Sequence, residues 1–338
     1  RRSCRCFSGS GPSGNSSPDR LGPRSGRERA LLFPERPRLA AGRECGIYRM
    51  RSPFQSVQFP AATDRLPVPG GRQELRIGAV QYLNTKPLVH GLQATGLDLV
   101  YDLPSRLADR LSRGDLDVAL IPSIELFRGD GYRIVSDACI GCRGAVMSVK
   151  LFFRTAPARV ARLAVDEGSR TSATLARILL AERFGVFPDV EILPLDGRAE
   201  DTAADAVLLI GDRAIGSQRG GFQLIWDLGD EWCRWTGLPF VFAVWAARRG
   251  VPPESLRRVA PLLQAARDEG RANLAAIASA EAPGHGLTVP QCLSYLRDNL
   301  HYHLGPEERL ALSRFYSQAA GLDLAPTGLD LTATLAAR

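Results

Sequence analysis

The chain has 338 residues, 45% of them hydrophobic, which is enough to bury a sizeable core and to form two lobes. Of its net charge of +7, residues 1–51 carry +8 (twelve arginines against four acids), so the remaining residues carry about −1. A nearly neutral body argues against nucleic-acid binding. Since no apolar run reaches membrane-spanning length, the sequence also argues against a membrane protein.

Residues 1–72 are rich in Gly, Ser, Pro and Arg and show neither helical nor strand periodicity, so we predict a disordered basic tail. The chain does not begin with Met, and we expect Met50 as a candidate natural start; an Arg-rich targeting sequence is the alternative. The run from Gly9 to Gly14 spells a dinucleotide-binding fingerprint. It follows no predicted strand and opens no predicted helix, so we discount it.

From Leu75 onward, predicted strands and helices alternate along the chain. The predicted strands are Arg76–Tyr82, Leu99–Leu103, Asp117–Ile121, Val146–Phe153, Val160–Val165, Val190–Leu193, Ala206–Ile210 and Pro239–Ala247. The predicted helices begin at Pro87, at Pro104 and at Ser169–Ser172, and then follow as Leu256–Ile277, Val289–Leu300 and Glu307–Ala320. This alternation predicts an α/β fold with a largely parallel sheet and helices on its faces.

Three polar segments follow predicted strand ends: Asn84-Thr85, Pro122-Ser123 and Ser169–Ser172. In open sheets of this class, ligands bind beyond the carboxyl ends of the strands. The sequence therefore predicts a binding cleft where these segments converge.

The segment Gly168–Ser172 (GSRTS) carries the strongest local signal, with three hydroxyls and Arg170 at a predicted helix start. A helix start exposes unpaired N–H groups and the positive end of the helix dipole, so it can bind a carboxylate or a phosphate. Capping of the helix by one hydroxyl is the simpler alternative. Because the P-loop pattern is absent, we favour a carboxylate.

Asn84 and Ser148 are further candidate site residues. Asn84 lies in a turn before Pro87, where a turn or capping role is the simple alternative. Ser148 alternates with Val146 on one predicted strand and faces either the cleft or solvent. Tyr82 is assigned to the wall or the core.

Seven cysteines, an odd number, favour a reducing compartment over a disulfide framework. Cys139 and Cys142 form a CxxC that we place in a Gly-containing loop. A zinc site would need a second ligand pair, and the other cysteines of the folded part stand alone, so we expect ordinary thiols and no metal. His301 and His303 lie in a predicted helical region, where their spacing does not put both rings on one face.

Six blocks of sequence carry a specific resemblance. They are Arg76–Leu88, Gly114–Ile121, Gly144–Val149, Gly168–Leu175, Leu208–Ala214 and Trp226–Trp245. In this order they resemble the chorismate dehydratases, enzymes of the futalosine route to menaquinone. The resemblance covers roughly residues 75–325, and its last block (WDLGDEWCRWTGLPFVFAVW) is the most specific.

The resemblance implies a type II periplasmic-binding-protein-like fold, with two lobes around a central cleft. Lobe 1 would comprise residues 75–150 and 240–330, and lobe 2 residues 151–239. The implied reaction removes water from chorismate to give 3-[(1-carboxyvinyl)oxy]benzoate, without a metal or an organic cofactor. By match to the family pattern, Asn84 is the catalytic position. The implied substrate contacts are Ser148, Thr171 and Ser172, to which the polar segments add Ser123 and Ser169.

These site positions are neutral and include no evident general base. We therefore hypothesise that the enolpyruvyl carboxylate of the substrate takes the ring proton itself, held by the Asn84 amide.

Two alternatives stay open. A non-catalytic binding protein for a small anion predicts a secretory signal or a lipid attachment site, and we recognise neither. The sibling enzyme that makes 1,4-dihydroxy-6-naphthoate would be expected to use a histidine of the middle lobe, and none lies between His90 and His285. We expect a cytoplasmic enzyme with chorismate as its small-molecule partner, without nucleic acid or membrane; the sequence does not indicate its oligomeric state.

Overall fold

The computed structural model describes residues 75–95, 97–129, 131–215 and 220–335, so the predictions for residues 1–72 lie outside it. The strands are β1 (Arg76–Val80), β2 (Asp98–Asp102), β3 (Val118–Pro122), β4 (Arg133–Cys142), β5 (Val149–Phe153), β6 (Arg162–Asp166), β7 (Asp189–Leu193), β8 (Ala206–Ile210), β9 (Leu224–Asp227), β10 (Phe240–Ala247) and β11 (His301–His303). The α-helices are α1 (Pro104–Ser112), α2 (Glu125–Arg128), α3 (Thr171–Phe184), α4 (Leu228–Thr236), α5 (Pro253–Ala272), α6 (Leu274–Glu281), α7 (Val289–Ser294), α8 (Pro306–Gly321) and α9 (Leu331–Leu335). Within these ranges, no helix is long and apolar enough to cross a bilayer.

The strands form two mixed sheets. A six-stranded sheet has the order β11-β4-β10-β3-β1-β2, and a five-stranded sheet has the order β7-β6-β8-β5-β9. The larger sheet and the helices packed on it are called the six-stranded lobe. The smaller sheet and its helices are called the five-stranded lobe. The sequence-based lobe boundaries stay a prediction.

The expectation of a largely parallel sheet needs correction. In each sheet three neighbouring strands run parallel, namely β2-β1-β3 and β7-β6-β8. The next strand of each sheet, β10 or β5, runs antiparallel to its neighbours on both sides. Each of these two strands enters its sheet directly from the other lobe. The chain therefore does not return to the end of the sheet at which a parallel strand would have to begin.

Two crossings therefore join the lobes. The chain leaves the six-stranded sheet after Cys142 and enters the five-stranded sheet at Val149. It returns through α4 and β10, where Trp232, Phe240 and Phe315 form an aromatic cluster with ring centroids 5.1–6.2 Å apart. The indole nitrogen of Trp232 also donates a hydrogen bond to the carbonyl of Pro239, at 2.9 Å. This packing fixes the second crossing, whose residues belong to the block Trp226–Trp245 named in the sequence analysis.

Several local predictions are wrong. The segment Leu83–Leu88 is a 3-10 helix, followed by a second one at Leu92–Thr95, and not an α-helix from Pro87. Gly91 lies between them with a φ of +73°, a conformation that a continuous helix does not allow. His301–His303 is a strand paired with β4, because the chain becomes extended at Leu300.

Candidate active site

A cavity lies between the two lobes, beside the first crossing. It encloses about 500 Å³ of space not filled by atoms, part of which is open to solvent. Five of the six predicted site residues lie in its wall: Asn84, Ser148, Ser169, Thr171 and Ser172. Much of the remaining wall is apolar, with Val80, Pro104, Ile140, Val146, Ile210 and Phe242.

Ser123, the sixth predicted site residue, lies behind this wall and is fully buried. Its hydroxyl donates to the Val241 carbonyl at 2.7 Å and lies 3.4 Å from the Thr171 hydroxyl. Since its proton is already donated to a carbonyl, we expect Ser123 to support Thr171; its direct contact with substrate stays a prediction.

The start of α3 forms one side of the cavity. If a hydroxyl capped this helix, it would accept a hydrogen bond from a backbone N–H of the first helical turn. No side chain among the described residues makes such a bond at the start of α3. Thr171 Oγ1 accepts instead from the backbone N–H of Ile124 in the six-stranded lobe, at 3.2 Å. Ser169 is only 4% exposed, and its hydroxyl has no hydrogen-bond partner among the described residues. It is therefore available to a ligand at the positive end of the helix.

Arg170 does not offer a free charge to the cavity. Its guanidinium pairs with Asp109 at 2.7 Å and with Glu125 at 3.4 Å, both in the six-stranded lobe. Arg106 and Glu167 form a similar pair between the lobes, at 2.8 Å. These charges hold the lobes against each other beside the cavity.

Asn84 lies in the 3-10 helix that follows β1. Its side-chain oxygen accepts a hydrogen bond from the Thr85 hydroxyl at 3.2 Å. The segment is held from the other side by α5, where Gly270 packs directly on Pro87, and a Cβ at this glycine would overlap the Pro87 backbone. The position of Asn84 therefore depends on packing that is distant in sequence.

Asp212, which sequence reasoning missed, contacts the same segment from the five-stranded lobe. Its Oδ1 accepts from the backbone N–H of Leu83 at 3.1 Å. Its Oδ2 lies 3.3 Å from Nε2 of His285, in the six-stranded lobe. Burial raises the pKa of Asp212 above its usual value, although these contacts lower it in part.

Tyr82, which the sequence analysis assigned to the wall or the core, lies in the cavity wall. Its hydroxyl faces the cavity region, and the described residues provide no hydrogen-bond partner for it. Two glycines make room for it: a Cβ at Gly211 would lie 2.7 Å from the ring, and one at Gly168 would lie 3.0 Å from the hydroxyl oxygen. Burial, reinforced by the Asp166 carboxylate, raises the pKa of Tyr82 far above its usual value, so the phenol is a neutral donor.

Ser148 lies in the first crossing, just before β5, and not on a strand that begins at Val146 as predicted. Met147 has a φ of +62°, which interrupts the extended chain. The Asp227 carboxylate holds this turn by accepting from the N–H groups of Val146 at 2.9 Å and Met147 at 2.7 Å. The Ser148 hydroxyl is left buried, with no partner in the described part of the chain.

Cys139 and Cys142 lie in β4 and not in a loop. The apolar pattern of β4 is interrupted by Ser136, Asp137 and Gly141, so the strand could not be recognised from its sequence. Both thiols are free; burial raises the pKa of Cys139 far above its usual value, and Cys142 lies against Cys233 of α4. Among the described residues, no group of three or more His, Cys, Asp or Glu side chains is arranged to hold a metal.

The fold resembles that of two solved structures, one of which is a periplasmic binding protein. A crystal structure of a protein from Archaeoglobus fulgidus superposes with a TM-score of 0.63 at 18% identity and covers 74% of this chain and 98% of that one. The periplasmic aliphatic sulphonate binding protein of Escherichia coli superposes with a TM-score of 0.51 at 16% identity, covering 78% and 92%. At such identities the likeness concerns the fold alone, and it confirms the periplasmic-binding-protein-like architecture.

Sequence relatives identify the family. A family model described as menaquinone biosynthesis matches residues 75–321. The chorismate dehydratase of Thermus thermophilus is 35% identical over 268 residues, which cover 74% of this chain and 96% of that enzyme. The chorismate dehydratase of Campylobacter jejuni is 25% identical over 247 residues, which cover 72% and 93%. The resemblance found in the sequence is thus confirmed, and the chain belongs to the chorismate dehydratase family of menaquinone biosynthesis.

Proposed function

We propose that this chain is a lyase that dehydrates chorismate to 3-[(1-carboxyvinyl)oxy]benzoate for menaquinone biosynthesis. The observation that carries the proposal is the 35% identity to the Thermus thermophilus chorismate dehydratase, because that alignment spans 96% of the enzyme. The proposal includes a cytoplasmic location and a small-molecule partner only, without nucleic acid or membrane.

The reaction makes modest demands on a protein. Chorismate loses the proton from ring carbon 3 and the hydroxyl from ring carbon 4, and the ring becomes aromatic. The gain in aromatic stabilisation drives this step, so the enzyme mainly has to orient the substrate and to move one proton. A cavity lined by neutral polar side chains suits such a task.

The start of α3 is the proposed site for one substrate carboxylate. The Ser169 hydroxyl is buried in the cavity wall without a described partner, and the helix behind it is 14 residues long. The unpaired N–H groups of a helix start and its dipole both favour an anion. Tyr82, a neutral donor beside the same wall, adds a further hydrogen bond from the opposite lobe.

Asn84 is the proposed catalytic residue. Its side-chain oxygen already accepts from Thr85, so its amide N–H groups are the part suited to hold a carboxylate. We assign the proton transfer to the enolpyruvyl carboxylate of the substrate, which takes the proton from carbon 3 and can pass it to the departing hydroxyl as water forms. Chorismate esterified at that carboxylate should then barely react, and its normal turnover would contradict this assignment.

The direct test mixes purified protein with chorismate, without additives, and follows the products by mass spectrometry. We expect a product lighter by one water and absorbing as a substituted benzoate. The binding-protein alternative predicts that chorismate or another small anion is retained unchanged. The sibling naphthoate synthase is disfavoured because no histidine lies in the cavity wall formed by the described residues.

A further inference from the structure

Tyr82 extends from the six-stranded lobe across the cleft, into a slot between two glycines of the five-stranded lobe. A Cβ at Gly211 would lie 2.7–2.8 Å from three carbons of the Tyr82 ring, which is too close for any side chain. A Cβ at Gly168 would lie 3.0 Å from the Tyr82 hydroxyl oxygen, which leaves almost no room for one. The slot therefore holds the tyrosine in this position because both residues are glycine.

The slot places the Tyr82 hydroxyl beside the start of α3. The hydroxyl oxygen lies against Gly168, and Ser169 is the next residue of the chain. Tyr82 and Ser169 are 5% and 4% exposed, and both line the cavity. Neither hydroxyl has a hydrogen-bond partner among the described residues. Two buried hydroxyls, one from each lobe, are thus available to the same part of the cavity.

Asp166 is a protein carboxylate beside this slot, but its oxygens have other partners. It is fully buried, its Oδ1 accepts from the Gly168 N–H at 3.0 Å, and its Oδ2 pairs with Arg213 at 2.8 Å. Burial, reinforced by the Asp166 charge, raises the pKa of Tyr82 far above its usual value, so the phenol keeps its proton. A protonated phenol without a protein acceptor is suited to donate to an anionic ligand.

Chorismate carries two carboxylates, one on ring carbon 1 and one on the enolpyruvyl side chain. We propose that Tyr82 is a specificity-determining residue that recognises the ring carboxylate, an inference that rests on the proposed function. Asn84 is assigned to the enolpyruvyl carboxylate, so the ring carboxylate is the one that binds at the start of α3. It accepts one proton from Tyr82 and one from Ser169. Because these two donors belong to different lobes, the ring carboxylate also stabilises the contact between the lobes.

Tyr302 provides a matched control for the loss of a phenol hydroxyl. It is a second buried tyrosine whose hydroxyl has no partner in the residues that the structure describes, and it lies on β11, outside the cavity wall. Replacement of either tyrosine by phenylalanine keeps an aromatic ring of the same shape. A difference between the two variants therefore reports on the cavity.

The experiment measures by calorimetry how wild type, Tyr82→Phe and Tyr302→Phe bind two ligands. One is the product, 3-[(1-carboxyvinyl)oxy]benzoate, and the other is 2-phenoxyacrylate, the same molecule without the ring carboxylate. Tyr82→Phe should bind the product about tenfold or more weakly, as expected for one lost hydrogen bond to a charged group, and should bind 2-phenoxyacrylate within about threefold of the wild type. Tyr302→Phe should bind both ligands as the wild type does.

Three results would overturn the proposal. The first is unchanged binding of the product by Tyr82→Phe, and the second is an equal loss for both ligands. The third is a failure of Tyr82→Phe to fold, because the phenol would then have a structural partner.

Gly168→Ala tests the slot itself. Unlike Gly211, Gly168 does not have a positive φ, so alanine adds no backbone strain there, while its methyl group would press on the Tyr82 hydroxyl. We expect Gly168→Ala to bind the product about tenfold more weakly, and to cause no further loss in a Tyr82→Phe protein, which lacks that hydroxyl. A loss that persists in the Tyr82→Phe protein would contradict the proposal, because the methyl group would then act on the ligand or the fold.

Failure of this inference is distinguishable from failure of the proposed function. A wild-type protein that leaves chorismate unchanged would overturn the proposed function. An active wild type whose Tyr82→Phe variant binds the product normally would overturn only the recognition of the ring carboxylate by Tyr82.

Discussion

Asp212 accepts a hydrogen bond from the backbone N–H of Leu83 across the cleft, with 3.1 Å between Oδ1 and the nitrogen. Asp212 follows β8 of the five-stranded lobe, and Leu83 immediately precedes Asn84 in the six-stranded lobe. One carboxylate therefore links closure of the lobes to the placement of the proposed catalytic amide.

Asp212→Ala should lower kcat/KM about tenfold or more, since a hydrogen bond to a charged group contributes about 1.5–3 kcal/mol. Asp212→Asn keeps an acceptor oxygen for Leu83 and should lose less. Asp205→Ala is the control, because Asp205 accepts from the backbone N–H groups of Ala161 and Arg162, both at 2.9 Å, away from the cavity. The measurement is kcat/KM from steady-state kinetics. If Asp212→Ala is as active as Asp205→Ala, the contact between Asp212 and Leu83 has no effect on catalysis.

Ser169→Ala and Thr171→Val should separate ligand binding from stability. The Ser169 hydroxyl has no partner within the described residues, so its loss should raise KM about tenfold while leaving the melting temperature unchanged. Thr171 accepts from Ile124 N–H, and Thr171→Val leaves that donor unpaired. This second variant should therefore lose about 1–3 kcal/mol of unfolding free energy in addition to a raised KM. An unchanged KM in both variants would mean that the carboxylate binds elsewhere.

Gly270→Ala should disturb the Asn84 segment through the backbone. Its new methyl group would overlap Pro87, so α5 or the 3-10 helix has to shift. We expect a loss of about 1–3 kcal/mol in unfolding free energy, measured by urea denaturation, together with reduced turnover. Gly321→Ala, in another helix and with open space at its Cβ, should leave activity intact; equal behaviour of the two variants would be evidence against this packing role.

Asp117 gives a prediction for the pH dependence of stability. Its carboxylate accepts from the Arg76 guanidinium at 3.2 Å, from the Arg76 backbone N–H at 3.0 Å and from the Arg248 guanidinium at 2.7 Å. Burial alone would raise its pKa, but these bonds outweigh burial and hold the pKa below its usual value. Because the folded pKa lies below the unfolded one, the stabilisation is present above about pH 4 and is lost as the pH falls through the folded pKa.

Asp117→Asn should thus lower the unfolding free energy by about 1.5–3 kcal/mol at pH 7. The difference in unfolding free energy between variant and wild type should become smaller below about pH 4. Urea titrations of both proteins between pH 3 and pH 7 provide the measurement. A gap that stays constant over this range would contradict the assignment.

Periodicity in the sequence predicted the elements whose side chains follow a simple pattern. The strands at Arg76 and Ala206, the helix at Pro104 and the buried strand before Ala247 all have a clear apolar repeat. Polar residues after strand ends also predicted four residues of one cavity wall, and the family resemblance added Ser148. Both kinds of signal are local, because they depend on residues near each other in the chain.

The missed features depend on contacts between distant residues. Met147 adopts a left-handed backbone because Asp227 holds it there, so no local pattern could show that Ser148 precedes the strand. Asp212 contacts the Asn84 segment from the opposite lobe, where its Oδ1 accepts from Leu83 N–H at 3.1 Å. Neither contact has a periodicity from which it could be inferred.

The most direct test of the central claim is the rate of chorismate dehydration by Asn84→Asp. Aspartate keeps the size of the side chain and is equally suited to a turn, but it replaces the amide donors by a negative charge that repels a substrate carboxylate. Asn273→Asp, at the exposed junction of α5 and α6, is the control. We predict that Asn84→Asp folds with a melting temperature close to the wild type yet loses about 100-fold or more in turnover, whereas Asn273→Asp stays active. A fully active Asn84→Asp enzyme would contradict the catalytic role of Asn84. It would mean that this residue only forms the turn.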